Sequence, residues 1–206
     1  MAQMISIKAG HTRGGSLPAM EPAMQSKLDI RAQIAADAAL QAEISQALVA
    51  IADSLPQGTD LRVARIVLRT LEASWDEHVS FRDEVVFPIV LGRHTRRVAF
   101  LVDRLRSDHA RIRDGNSDIV GRLQALLGGV SYEPAGLESA LRGAFALRHD
   151  HLQIDAELSS WLPDTFSPTE QALSSVWQLS RPSPRFPLNL LKATRKRNFR
   201  LGGRLN

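Results

Sequence analysis

Apolar side chains recur every three or four residues over most of the chain, which is the period of an amphipathic helix. The repeats predict four long helices at about residues 21–55, 60–91, 94–127 and 134–162, and a shorter fifth helix at 167–179. Short segments containing Pro or Gly separate the helices, and no segment shows the alternation typical of a strand. The pattern therefore predicts an all-α protein, an up-down-up-down four-helix bundle with a short fifth helix.

The predicted bundle, about residues 21–180, is flanked by two segments of different composition. Residues 1–20 are rich in Gly and polar residues without a period, which predicts a flexible N-terminus. Residues 181–206 carry eight of the 26 Lys and Arg residues and none of the 22 Asp and Glu residues. This Pro- and Arg-rich segment is either a flexible solvated tail or a binder of anionic lipid, nucleic acid or an acidic protein. Its candidate anion-binding residues are Lys192, Arg195, Lys196, Arg197 and Arg200.

The composition narrows the possible chemistry. With 44% apolar and 23% charged residues, the chain has the composition of an ordinary soluble globular protein. It contains no cysteine, which excludes disulfides, thiolate metal sites and cysteine nucleophiles. No stretch reaches the roughly 18 consecutive apolar residues typical of a transmembrane helix, so we expect a cytoplasmic protein. No phosphate-binding glycine loop or nucleophile elbow is present, and hydrolase chemistry is not indicated.

Three of the six histidines fall on the inward stripes of three different predicted helices. These are His78, His109 and His151, each near the middle of its helix. Imidazole is a common ligand of iron, zinc and copper, and bundle interiors are where facing helices bring such ligands together. We therefore predict that the three imidazoles converge inside the bundle, either as a metal site or as buried core residues. The other histidines fall at loose or surface positions: His11, His94 and His149.

The residues around these histidines, and those that end the first helix, form short motifs in a characteristic order. The second predicted helix contains HVSFRDEVVFP, in which His78 is followed by Asp83 and then by Phe87-Pro88. The stretch IADSLP, residues 51–56, follows the first helix. Both stretches resemble the hemerythrin-like family, also called HHE cation-binding domains, whose second helix carries a His, an acid and then Phe-Pro.

The third and fourth predicted helices extend the resemblance over about residues 21–180. Asp108-His109 resembles the acid-His pair of the family's third helix, and His151 with Asp155 resembles the His and carboxylate of its fourth. The resemblance implies a four-helix bundle that holds a non-haem di-iron centre, bridged by carboxylates and terminated by histidines. Members of the family bind oxygen reversibly, sense oxygen, redox state or nitric oxide, or handle iron.

The chain departs from the family pattern at three positions. Ala38 stands where the alignment expects the first-helix histidine, Arg82 where it expects the bridging Glu, and Arg113 where many members have an acid. A guanidinium about 5 Å from a divalent ion repels it by several kcal/mol even at an effective dielectric constant of about 20. These departures argue against a standard di-iron centre.

Two interpretations of the site follow. In the first, His78, His109, His151 and Asp155, with Asp83 as a further candidate, bind a single Fe²⁺ or Zn²⁺ ion. In the second, the site is metal-free, because Arg82 and Arg113 pair with carboxylates and replace the positive charge of the metal.

Both interpretations indicate a binding, sensing or regulatory protein rather than an enzyme. The alternative is a functional di-iron protein that binds O2 or NO or handles iron.

Overall fold

The computed structural model describes residues 29–181, apart from residues 57 and 95. Every regular element in this part of the chain is helical, which confirms the predicted all-α class. The N-terminal segment and the basic tail from residue 182 onwards lie outside the described residues. The elements are α1 (Ile30–Ser54), α2 (Leu61–Phe81), a π-helical segment (Arg82–Val86), α3 (Phe87–Arg93), α4 (Arg96–Leu127), α5 (Pro134–Ser159) and α6 (Pro168–Leu179).

Side-chain caps set the starts of three helices. Asp29 and Asp60 each accept a hydrogen bond at 2.9 Å from the backbone N–H two residues later. Ser167 and Glu170 form a reciprocal capping box at the start of α6. Each cap satisfies backbone N–H groups that lack a partner in the first turn of a helix, and so stabilises the helix by about 1 kcal/mol.

The four long helices pack around a shared interior. α1 packs against α2 and α5, and α4 packs against the same two helices. The short α6 covers the π-helical segment. α1 is also long and apolar enough to cross a membrane by length and composition alone, a property shared by core helices of soluble proteins.

The interior is divided along the helices into two apolar clusters with polar side chains between them. One cluster includes Ile44, Leu71, Leu123 and Leu141, and the other includes Phe81, Leu105 and Leu158. Each long helix therefore passes from one apolar cluster to the other through a middle segment that carries buried polar residues. We call these residues the polar layer: Asp37, Gln41, Ser74, His78, Arg82, Asp108, His109, Asn116, Arg148, His151 and Asp155.

The predicted second helix is interrupted near Pro88, as its sequence suggests, but it does not end there. Pro88 has no N–H to donate to the carbonyl four residues earlier, and its ring crowds that turn. The chain widens into a π-helical turn in which Phe87 N–H bonds to the Arg82 carbonyl, and α3 then begins. In consequence the consecutive residues Val85, Val86 and Phe87 are all buried.

Candidate metal centre

The three predicted histidines meet in the polar layer. His78 comes from α2, His109 from α4 and His151 from α5. None of the three exposes more than 3% of its surface. One nitrogen from each ring lies within 4.8 Å of those from the other two. The predicted convergence is confirmed, and the cluster is of a size that could hold a metal ion. We call these three residues the histidine cluster.

Asp37 orients one ring of the histidine cluster. Its Oδ2 lies 2.8 Å from Nδ1 of His78, and His78 Nε2 lies 3.0 Å from Nε2 of His151. If His78 donates its Nδ1–H to the carboxylate, its Nε2 carries a lone pair that faces the other imidazoles. Carboxylate–histidine pairs of this kind fix the tautomer of metal-binding histidines and raise their basicity.

The other two imidazoles have nitrogen atoms without a hydrogen-bond partner among the described residues. These are both ring nitrogens of His109 and Nδ1 of His151, all of which are buried. Burial lowers the pKa of His109 to about 3, and the charges of His78 and Arg82 act in the same direction. Burial and the charge of His78 also lower the pKa of His151. Both rings are therefore neutral at pH 7, which is the state that binds metals.

Trp75 forms a wall of the histidine cluster. Its ring stacks on His78 at 4.8 Å between centroids and meets His151 and His109 edge-on at 5.2 and 5.7 Å. The indole N–H donates to the backbone carbonyl of His109 at 3.3 Å. Phe87 stacks on the His109 ring at 5.9 Å between centroids. These rings exclude water, so electrostatic interactions inside the cluster are stronger than they would be in water.

A buried cation lies beside the histidine cluster. Nη2 of Arg82 lies 2.6 Å from Oδ2 of Asp155 and 3.2 Å from Oδ2 of Asp37. The Arg82 side chain is fully buried, and its other nitrogens have no hydrogen-bond partner among the described residues. Asp37 thus contacts both Arg82 and His78. The pairing of Arg82 with Asp155 is one that the metal-free interpretation anticipates.

Two residues considered from the sequence lie outside this arrangement. Asp83, a candidate ligand, is partly exposed and pairs with Arg106 at 3.1 Å. Arg113 is exposed and pairs with Asp76 at 3.2 Å, so it does not point into the site. The expectation that Asp83 contributes a ligand and that Arg113 occupies a ligand position is therefore corrected.

The contribution of α1 to the site was missed by sequence reasoning. The alignment places Ala38 at the ligand position, whereas Asp37 is the α1 residue that contacts His78 and Arg82. The signal was present in the sequence, because Asp37 is the one charged residue in the run IAADAAL, residues 34–40. A single acid within an apolar stretch of a helix indicates that its side chain has a buried polar partner.

A second buried arginine lies in the polar layer, next to Trp75. Arg148 donates to Gln41 Oε1 at 2.8 Å and to Asn116 Oδ1 at 3.0 Å, and its guanidinium lies 4.7 Å from the centre of the Trp75 ring. Burial lowers the pKa of Arg148 to about 9. The groups that accept its hydrogen bonds are neutral, unlike those that contact Arg82. We call Arg148, Gln41 and Asn116 the Arg148 cluster.

These contacts suit one metal ion better than two. Three buried imidazoles, two of which have unpartnered nitrogens, form a donor set that iron, zinc or copper accepts. A di-iron centre needs carboxylates free to bridge two ions. Here the side chains of Asp37 and Asp155 are held by a guanidinium that does not lose its proton, and α1 supplies no histidine. The residues fit a single ion and do not fit a carboxylate-bridged pair.

Comparison of the chain with protein-family models, with curated proteins and with solved structures found no match.

Proposed function

We propose that the protein binds a single transition-metal ion through His78, His109 and His151. The observation that carries the proposal is the convergence of three buried imidazoles from three helices, with nitrogens within 4.8 Å, around a His78 that Asp37 orients. Unpartnered buried nitrogens cost free energy unless a ligand satisfies them, and a metal ion is the ligand that imidazole nitrogens share. The frame that we propose is a hemerythrin-like four-helix bundle of up-down-up-down topology.

The donor set indicates which ions to expect. Three imidazoles suit Fe²⁺, Zn²⁺ and the copper ions, whereas Mg²⁺ and Ca²⁺ prefer oxygen ligands. An ion with three protein ligands keeps a coordination position open for a further small ligand, such as dioxygen or nitric oxide for iron. This property supports a binding, sensing or regulatory role, because Arg82 holds the carboxylates of Asp37 and Asp155.

A metal-free module is the second candidate, and the buried Arg82 favours it. The guanidinium between Asp37 and Asp155 supplies positive charge at the place where a cation would otherwise sit. In that case His78 and His151 hydrogen-bond to each other, and the bundle acts through its surface. The two candidates differ in one measurable property, the metal content of the purified protein.

The test uses the full chain purified without a histidine tag. We expect elemental analysis to find close to one iron, zinc or copper per chain, and titration of chelator-treated protein with Zn²⁺ or Fe²⁺ to saturate at one equivalent. Because the ion binds only the folded state, a concentration 100 times the Kd should stabilise the protein by about 2.7 kcal/mol.

His109→Gln and His151→Gln should abolish both the stoichiometric binding and the metal-dependent rise in melting temperature. His149→Gln is the matched control, since His149 lies on α5 beside Gln153 and is exposed. Retention of full binding by both cluster variants, or absence of any binding by the parent, would reject the proposal in favour of the metal-free module.

A further inference from the structure

Beside the histidine cluster, two buried carboxylates share one arginine. Asp37 and Asp155 carry two negative charges, and Arg82 supplies the one positive charge that contacts both of them. One oxygen of each carboxylate contacts the same guanidinium nitrogen, Nη2. Two carboxylates that approach this closely form a cation site by themselves, and the guanidinium occupies it.

We propose that Arg82 is a specificity-determining residue, a resident cation that limits the site to one metal ion and disfavours ions of higher charge. The inference rests on the proposed function, because it concerns which ions the histidine cluster accepts. A guanidinium paired with two carboxylates is a fixed cation, so a second ion would have to displace the Arg82 side chain. That side chain would have to leave a fully buried position in order to release the two carboxylates.

Arg82 lies close enough to the histidine cluster for its charge to repel an ion bound there. Since the guanidinium and His78 Nδ1 contact the same oxygen, at 3.2 and 2.8 Å, they are at most about 6 Å apart. An ion on Nε2, across the ring, then lies within about 10 Å of the guanidinium. At an effective dielectric constant of about 20, Coulomb repulsion at that distance weakens binding roughly tenfold per unit of ionic charge.

The experiment compares Zn²⁺ with Ag⁺, a monovalent ion that serves as a redox-stable probe, on the chelator-treated full chain. Arg82→Met and Arg82→Gln remove the charge, and the Gln variant keeps an N–H donor for Asp155. We expect these variants to bind two Zn²⁺ ions instead of one. We also expect affinity at the histidine cluster to rise about 100-fold for Zn²⁺ and about tenfold for Ag⁺, since the repulsion scales with ionic charge.

Two controls separate charge from structure. Arg142→Met loses the same charge from an exposed side chain that pairs with Asp53 and Glu138, and it should behave like the parent. Arg82→Met/Asp155→Asn removes one buried charge of each sign, so it should bind one ion with a Zn²⁺ to Ag⁺ affinity ratio close to that of the parent. Circular dichroism confirms folding, and Arg82→Gln decides the outcome if Arg82→Met does not fold.

The results separate this inference from the proposed function. If the parent binds one ion and the folded Arg82 variants also bind one with an unchanged ratio, the role of Arg82 is rejected and the metal site stands. If the parent binds no ion but the Arg82 variants do, the proposed function is rejected and the role of Arg82 as a resident cation stands. A double variant whose affinity ratio differs from that of the parent tenfold or more would also overturn the charge explanation.

Discussion

Arg82 and Arg148 are both buried in the polar layer, with 0% and 1% exposure, yet their surroundings have opposite chemistry. Arg82 contacts two carboxylates, one from α1 and one from α5. Arg148 contacts two neutral amide oxygens and the face of Trp75, and burial lowers its pKa. A buried guanidinium can thus be stabilised by opposite charge or by dipoles and a π face.

The difference shows where in the polar layer a metal ion is tolerated. On the Arg82 side, two carboxylates give the interior negative charge that offsets an incoming cation. On the Arg148 side, a cation already lies among neutral groups, and a second cation would only be repelled. Trp75 separates the two sides, because its ring contacts the histidine cluster and Arg148.

The largest expected effect is on Arg82, in the metal-free protein. Arg82→Met should lower the free energy of unfolding at pH 7 by about 3–5 kcal/mol, because it leaves two buried carboxylates without a partner. Urea denaturation in the presence of a chelator measures this change. Adding Asp155→Asn should recover part of the loss, since one of the two unpaired charges is then removed. Additive effects of the two substitutions would show that the pair is not coupled.

The next largest effect is the pH dependence of stability that results from His109 in the histidine cluster. The pKa of His109 is about 3 in the folded protein and near 6.5 in the unfolded chain, so between these values the unfolded state binds more protons. Stability should therefore fall as the pH is lowered through this window, by about 1.4 kcal/mol per pH unit for this one group. Over pH 6.5 to 4.5 the loss amounts to about 2 kcal/mol, because the unfolded histidine is only half protonated at pH 6.5.

His109→Gln, which cannot titrate, should lose less stability over the same window when both proteins are metal-free. The charges that oppose protonation of His109 come from His78, Arg82, Arg113 and Arg106. Parallel stability curves for parent and variant between pH 6.5 and 4.5 would show that His109 is protonated in the folded state.

The smallest effect is expected at Arg148. Arg148→Met removes a buried charge and lets an apolar chain pack on Trp75, but it leaves the oxygens of Gln41 and Asn116 without their donor. These contributions oppose each other, so the free energy of unfolding should change by only about 1 kcal/mol. A loss as large as that for Arg82→Met, measured by the same urea denaturation, would remove the distinction between the two arginines.

The helical class and the meeting of the three histidines could be predicted from the sequence, because both depend on the helical period. A residue on the inward stripe of an amphipathic helix faces the interior whatever the details of packing. His78, His109 and His151 each satisfy this condition on a different helix. The family resemblance, which rests on short motifs, stays a prediction.

The partners of the site could not be predicted with the same accuracy. Neighbouring residues on a helix differ in direction by about 100°, and an Ala-rich stretch fits the interior on either of two faces. The run IAADAAL therefore did not distinguish Asp37 from Ala38 as the inward residue. Arg148 was missed because an arginine is normally assigned to the surface, and a buried one depends on polar partners from other helices.

Trp75 gives the site an optical consequence. Its ring contacts all three imidazoles of the histidine cluster, whereas Trp177 packs on Phe81 and Trp161 against His94. Indole fluorescence is sensitive to charged and paramagnetic neighbours within such distances, so the emission of Trp75 reports directly on what the cluster holds. The protein thus contains its own spectroscopic probe, and binding or release can be followed in solution without any attached label.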